Sequence, residues 1–130
     1  MPHFSINSSA RLNTCHVDLQ RLFNRVVRDF DCTILEGHRG EMAQTEYVRT
    51  GKSKVPYPHS KHNFEPSFAV DVAPYPIDWS DHERFYFFAG FVKGIAASMD
   101  LSIRWGGDWD SDTQVKDQTF MDLPHFELVS

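Results

Sequence analysis

No apolar run in this sequence approaches the roughly 20 residues of a membrane-spanning helix, so no stable membrane association is expected. Nor is there an excess of positive charge. Lys and Arg number 13 against 18 Asp and Glu, a net charge of −5, whereas nucleic-acid binding calls for a basic face. Nucleic acid is therefore not an expected partner. Cysteine is scarce: Cys15 and Cys32 form no CxxC pair, and in a reducing compartment they are expected as free, buried thiols rather than metal ligands. The stretch Met1–Asn7 lacks the basic-then-apolar order of a signal peptide, which leads to the expectation of a protein made and folded in a cytoplasm. Repeats, low-complexity tracts and linkers are missing as well. What remains is a 130-residue chain long enough to bury a core without staples, expected as one domain over residues 1–130.

Periodicity is plainest after Thr14. Leu19, Leu22, Phe23, Val26, Val27 and Phe30 recur at threes and fours and predict a helix from about Thr14, capped by Thr14 or Asn13. A short helical turn is expected around Ser8–Leu12. Cys32–Glu36 reads as a strand ended by Gly37, Glu41–Arg49 as a helix closed by Gly51, and residues 51–60 as loop. A second strand falls at about Phe68–Ala73. The longest helix runs from about Asp81 to Met99, capped by Ser80 or Asp81. Its stripe of Phe85, Phe88, Val92, Ile95, Ala96 and Met99 is widened by Phe87 and Phe91, which suits a helix largely buried against a sheet. Gly90 and Gly94 lie one turn apart, a spacing that allows close packing. Leu101–Trp105 and Phe126–Val129 complete the strands. Helices and strands mix without regular alternation, so the expected class is α+β, a small antiparallel sheet flanked by helices.

The strand at Phe68–Ala73 carries one carboxylate, Asp71. An unpaired charge in an apolar strand is costly, so Asp71 calls for an arginine, a helix N-terminus or a metal. His62 stands just before that strand, and His125 lies beside the short apolar run near the C-terminus. Two histidines and one carboxylate make a three-ligand catalytic zinc set with the fourth position left for water. Blander readings stay open from the residues alone. Asp71 can pair with Arg39 or Arg104, His62 can be a surface or capping histidine, His125 a satisfied edge-strand histidine, and Asp122 a turn residue.

Four motifs occur in order: Ser60-Lys61-His62, then Ala69-Val70-Asp71-Val72-Ala73-Pro74-Tyr75, then Arg104-Trp105-Gly106-Gly107-Asp108-Trp109, then Asp122-Leu123-Pro124-His125-Phe126-Glu127-Leu128. Together they resemble the zinc peptidases of the D-alanyl-D-alanine carboxypeptidase and L-alanyl-D-glutamate endopeptidase family, and among these the small bacteriophage endolysins. The similarity runs from about Asp18 to Leu128. The resemblance implies a hedgehog/DD-peptidase-like fold with its catalytic core at about 14–129. It also implies one zinc per chain on His62, Asp71 and His125, a general base at Asp122, and a substrate-orienting or transition-state arginine at Arg39. The His62-to-Asp71 spacing of nine is two longer than the family's usual one, and Glu65-Pro66-Ser67 replaces its glycine turn. An insertion of two residues can bulge outward before the strand and leave both ligands in place. His59 is the rival first ligand.

The function so implied is a zinc metallopeptidase cutting peptidoglycan stem peptides: a phage endolysin with L-alanyl-D-glutamate endopeptidase activity. A D-alanyl-D-alanine carboxypeptidase or dipeptidase, and a non-catalytic zinc-containing wall-binding module, are the alternatives. A monomer is expected, held in the host cytoplasm until lysis and acting thereafter on the cell wall in the periplasm. Stem peptides carry free carboxylates, which suits Arg39, and Ser60, Lys61 and Trp109 are expected to line the same cleft. Asp108, Asp110 and Asp112 alternate, with Asp117 beyond, a pattern that can wrap calcium. No glycine follows Asp112 at the EF-hand position and no glutamate closes the loop, so a solvated acidic loop is the favoured reading.

Overall fold

The computed structural model describes residues 2–115 and 121–129; Asp117 of the acidic loop lies outside them. Helix α1 (Ile6–Leu12) and helix α2 (Val17–Val26) lead into strand β1 (Cys32–Glu36) and helix α3 (Glu41–Arg49). A 3-10 turn at Lys61–Asn63 precedes strand β2 (Ala69–Pro74), followed by helix α4 (His82–Ser98), strand β3 (Ile103–Trp105) and strand β4 (His125–Leu128). The four strands form one antiparallel sheet in the order β1–β2–β4–β3. The α+β expectation holds. Among the described residues no helix is long and apolar enough to cross a membrane.

Strand alternation sorts the sheet into two faces. On one, Cys32, Ile34, Val70, Val72, Ile103, Trp105, Phe126 and Leu128 pack against Leu12, Leu19, Leu22, Phe23, Val26, Phe88, Val92 and Ala96 of the helices. Phe126 sits centrally, edge-on to both Phe23 and Phe88 at ring separations of 5.5 and 6.0 Å. The opposite face carries the polar residues taken up below. Cys15 and Cys32 are buried and unpaired, and burial pushes each thiol up to about 12.

Several local boundaries differ from expectation for physical reasons. Helix α2 begins at Val17 because Cys15 is held in a bridge with Ser67, which leaves His16 to cap it: the His16 Nδ1 accepts from the Asp18 N–H at 3.0 Å. Helix α1 starts earlier than foreseen, at Ile6, since the Ser5 hydroxyl accepts from Ser8 N–H. On α4 the inward stripe is Phe85, Phe88, Ala89, Val92 and Ala96, which turns Phe87 outward at 72% exposure. The close packing expected at Gly90 and Gly94 does not occur, because a Cβ at either would meet nothing within 4 Å. Both glycines therefore add backbone entropy to the unfolded chain, and a methyl group at either position has room. Gly90→Ala and Gly94→Ala are each expected to raise unfolding free energy by about 0.5–1 kcal/mol, read as a higher urea midpoint at unchanged slope. A lower midpoint would mean that this face is covered.

Candidate active site

Register builds the site across three strands. Asp71 on β2 pairs with His125 on β4 and, on its other side, with Glu36 on β1. Directly opposed residues share a face, so the three side chains stand in a row away from the core. Strict alternation would place Glu36 with Ile34 and Cys32 on the core face. A bulge between Ile34 and Glu36 reverses this and turns Glu36 toward Asp71.

His62 arrives from outside the sheet. Its 3-10 turn is closed by a reciprocal cap in which the Ser60 hydroxyl accepts from His62 N–H at 3.2 Å and Asn63 Oδ1 accepts from Ser60 N–H at 3.0 Å. Asn63 Nδ2 donates to the Arg39 carbonyl and Arg39 N–H to the His62 carbonyl, tying the turn to the chain after β1. The longer spacing between His62 and Asp71 is absorbed before β2. There Ser67 N–H donates to the Thr14 carbonyl and Ser67 accepts in turn from His16 N–H. His62 and Asp71 meet in spite of it: His62 Nε2 lies 3.2 Å from Asp71 Oδ1, and His125 Nδ1 lies 3.4 Å from the same oxygen. His59 lines the cleft and stands outside this group.

The far side of each imidazole is already committed. His62 Nδ1 stands 2.7 Å from the Gly37 carbonyl, which can only accept, so Nδ1 carries the hydrogen. His125 Nε2 stands 2.8 Å from Glu127 Oε1, again an acceptor. Two ring nitrogens are thereby aimed, lone pair first, at one carboxylate oxygen. Three acceptors converging in this way require a proton or a cation among them, and His62, Asp71 and His125 can hold a metal ion. In the metal-free protein a proton fills the role. Burial disfavours charged His125, but its hydrogen bonds to Asp71 and Glu127 outweigh that and raise it to about 9. Burial likewise opposes the Asp71 anion, and His62 and His125 hold it well below the usual carboxylate range regardless.

Asp122 is set by backbone. Its N–H donates to the Gly106 carbonyl and its carbonyl accepts from His125 N–H, while a Cβ at position 106 would overlap the Asp122 carbonyl. Only glycine permits that approach. The Asp122 carboxylate is 34% exposed, with Oδ2 4.0 Å from His125 Nδ1, and burial followed by the Asp71 charge raises it from the ordinary value.

Arg39 lies buried under the cleft. Glu36 takes its Nε and Nη2, Gln44 its Nη1, and Nη2 is 3.7 Å from Asp71 Oδ2. The cleft has a volume of about 560 Å³ and is lined by Arg39, Ser60, Lys61, Trp109 and Asp122 together with the three candidate ligands. Ser60 is occupied in capping, and the Lys61 ammonium donates to the Leu128 carbonyl while facing Glu127 at 3.4 Å. The Trp109 ring stands 5.2 Å from that of His125 and walls the site. In the acidic loop, Asp108, Asp110 and Asp112 lie near one another, but Asp108 accepts from the N–H groups of Asp112 and Thr113.

Three contributors escape a reading of the sequence. Glu127 had a usable signal: two residues after His125 on a strand, it must share the histidine's face. Glu36 had none, since alternation assigns it to the core. Gln44 is the one buried residue of α3, and its amide is fully used. Its Oε1 accepts from Arg39 and Asn63, and its Nε2 donates to Ser53 Oγ and the Val55 carbonyl.

The sequence profile of the phage L-alanyl-D-glutamate peptidases matches residues 2–129. The crystal structure of the L-Ala D-Glu endopeptidase ChiX from Serratia marcescens is similar at a TM-score of 0.79 and 29% identity, over 97% of this chain and 89% of that one. No curated protein matches the sequence.

Proposed function

The chain belongs to the phage L-alanyl-D-glutamate peptidase family, and from that membership we propose a zinc-dependent endolysin that cuts the L-alanyl-D-glutamate bond of the peptidoglycan stem peptide. The peptidase activity and the peptidoglycan substrate follow from the family. The zinc and the roles of individual residues rest on one observation: two imidazole nitrogens, each with its far side committed as a donor, converge on Asp71 Oδ1. A two-nitrogen, one-oxygen set facing an open cleft suits catalytic zinc, which keeps one position for water, rather than a closed four-ligand structural site. When bound, zinc supplies a Lewis acid and brings the pKa of water from about 15.7 toward 7.

Around it the chain's own residues divide the work. His62, Asp71 and His125 hold the ion, and the Gly37 carbonyl and Glu127 keep the two rings turned to it. Asp122 takes a proton from the attacking water and returns it to the amine nitrogen that leaves as the amide bond breaks. Arg39, clamped by Glu36 and Gln44, orients the second oxygen of Asp71 and lends positive charge to the developing oxyanion. Trp109 narrows the cleft beside His125.

Digestion of purified peptidoglycan by the zinc-loaded protein tests the reading. Free stem peptides with a new N-terminal glutamate are expected, with the reaction stopped by a chelator and restored by zinc. Release of D-alanine alone would indicate the carboxypeptidase instead. Zinc binding with no product at all would leave a wall-binding module.

A further inference from the structure

One segment that lines the cleft has an unusual charge. Residues 51–63 contain three lysines and two histidines and no acid, in a chain of net charge −5. Lys52 and Lys54 both line the cleft. Arg39 faces Glu36 there, and Lys61 faces Glu127 and the Leu128 carbonyl.

Ahead of the 3-10 turn at Lys61–Asn63 this segment has no regular structure, yet it is anchored. Gln44, 0% exposed, donates from its amide to Ser53 Oγ at 3.0 Å and to the Val55 carbonyl at 2.6 Å, bracketing Lys54. The N–H groups of Lys52 and Ser53 both donate to the Tyr47 carbonyl. The Tyr47 ring carries Arg39 at 4.2 Å and the Lys52 ammonium at 5.6 Å from its centroid. A polar residue as the sole buried contact of α3 gains little as core. The two hydrogen bonds from its amide nitrogen, to Ser53 and Val55, make sense as a fastening for the strip that carries Lys52 and Lys54 along the cleft.

Such a rim has a chemical purpose. A glutamate whose side chain carries the peptide onward keeps its α-carboxylate free beside the scissile bond, and the residue after it can carry another carboxylate. An acidic protein approaching an acidic polymer is repelled overall and needs a local positive field where the substrate enters. We propose that Lys52 and Lys54 form a carboxylate-reading rim, through which this enzyme selects stem peptides with a free carboxylate next to the cut and disfavours the carboxamide. The inference rests on the endopeptidase reading above and names the substrate class within it.

Three synthetic stem peptides and the zinc-loaded full chain test it: one with all carboxylates free, one amidated at the glutamyl α-carboxyl, and one amidated at the carboxyl of the following residue. The wild type is expected to lose about tenfold in kcat/KM on one amidated peptide, a loss compressed by about 0.5 M salt. Which peptide suffers tells which carboxylate is read. In Lys52→Gln/Lys54→Gln the ratio falls to within about twofold of unity. Arg21→Gln/Arg25→Gln makes the same charge change on exposed α2 positions and should leave the ratio at its wild-type value. Equal cleavage of all three peptides by the wild type, or discrimination that survives loss of both lysines, overturns the rim alone. Failure to cleave any of the three, with zinc bound, overturns the endopeptidase reading and the rim with it.

Discussion

Asp122→Asn is expected to lower kcat/KM on stem peptides by about 10²–10⁴-fold while bound zinc stays at one per chain. The asymmetry between the two readouts follows from how Asp122 is held. Its backbone is pinned between Gly106 and His125, and only its carboxylate, 34% exposed, reaches the cleft. Asparagine has the same shape and keeps those backbone bonds, so position and fold persist. What disappears is an oxygen able to take a proton from water and hand it on. Zinc should remain because the three atoms proposed to hold it belong to His62, Asp71 and His125. Metal analysis alongside a chromatographic peptide assay decides the matter. Activity within tenfold of wild type would remove Asp122 as the base, and loss of zinc would make it a ligand.

Asp71→Asn should do the reverse, emptying the site of metal and taking activity with it. Removing a residue that merely orients a zinc ligand already costs about 10–100-fold in affinity, so replacing a charged ligand in a three-residue set costs more than 100-fold. Metal content after desalting is expected to fall below a tenth of an ion per chain. The fold should survive, since Arg39 keeps Glu36 and Gln44 when Asp71 loses its charge. Metal-free stability supplies a pH signature. Asp71 sits below its ordinary value of 3.8 and His125 rises from 6.5 to about 9, so their pairing stabilises the folded state only where Asp is ionised and His protonated. The gap between wild type and variant should thus be fully open from about pH 4 to 6.5 and close as pH climbs through about 9. An Asp71→Asn protein that keeps its zinc would refute the assignment of this ligand.

Much of this centre is legible in the chain because its chemistry is locally improbable. A carboxylate at the middle of Phe68–Ala73 demands a partner, and the ordered motifs single out His62, His125 and Asp122 as candidates. The strand at Cys32–Glu36 and the helix at Glu41–Arg49 follow from composition and punctuation, and both lie where expected. Longer-range choices were hidden. Periodicity on α4 is broad enough to include Phe87, and only the seating of the helix on the sheet shows which side faces water. Lys61 reads as a cleft residue, but folding also brings it to Glu127 and Leu128, 66 and 67 positions away.

By itself the sequence determined which residues could do the chemistry, because side-chain type, alternation and capping act over a few neighbours. Tertiary structure decided which of them meet. One bulge after Ile34 turns Glu36 from the core face to the site and gives Arg39 its anchor. One missing Cβ at Gly106 lets the Asp122 backbone close in. A buried Gln44 fastens a loop whose own residues encode no structure. Each depends on strand register or on contact between distant segments, and a one-residue slip would send every side chain of a strand to the other face. No local pattern carries that information.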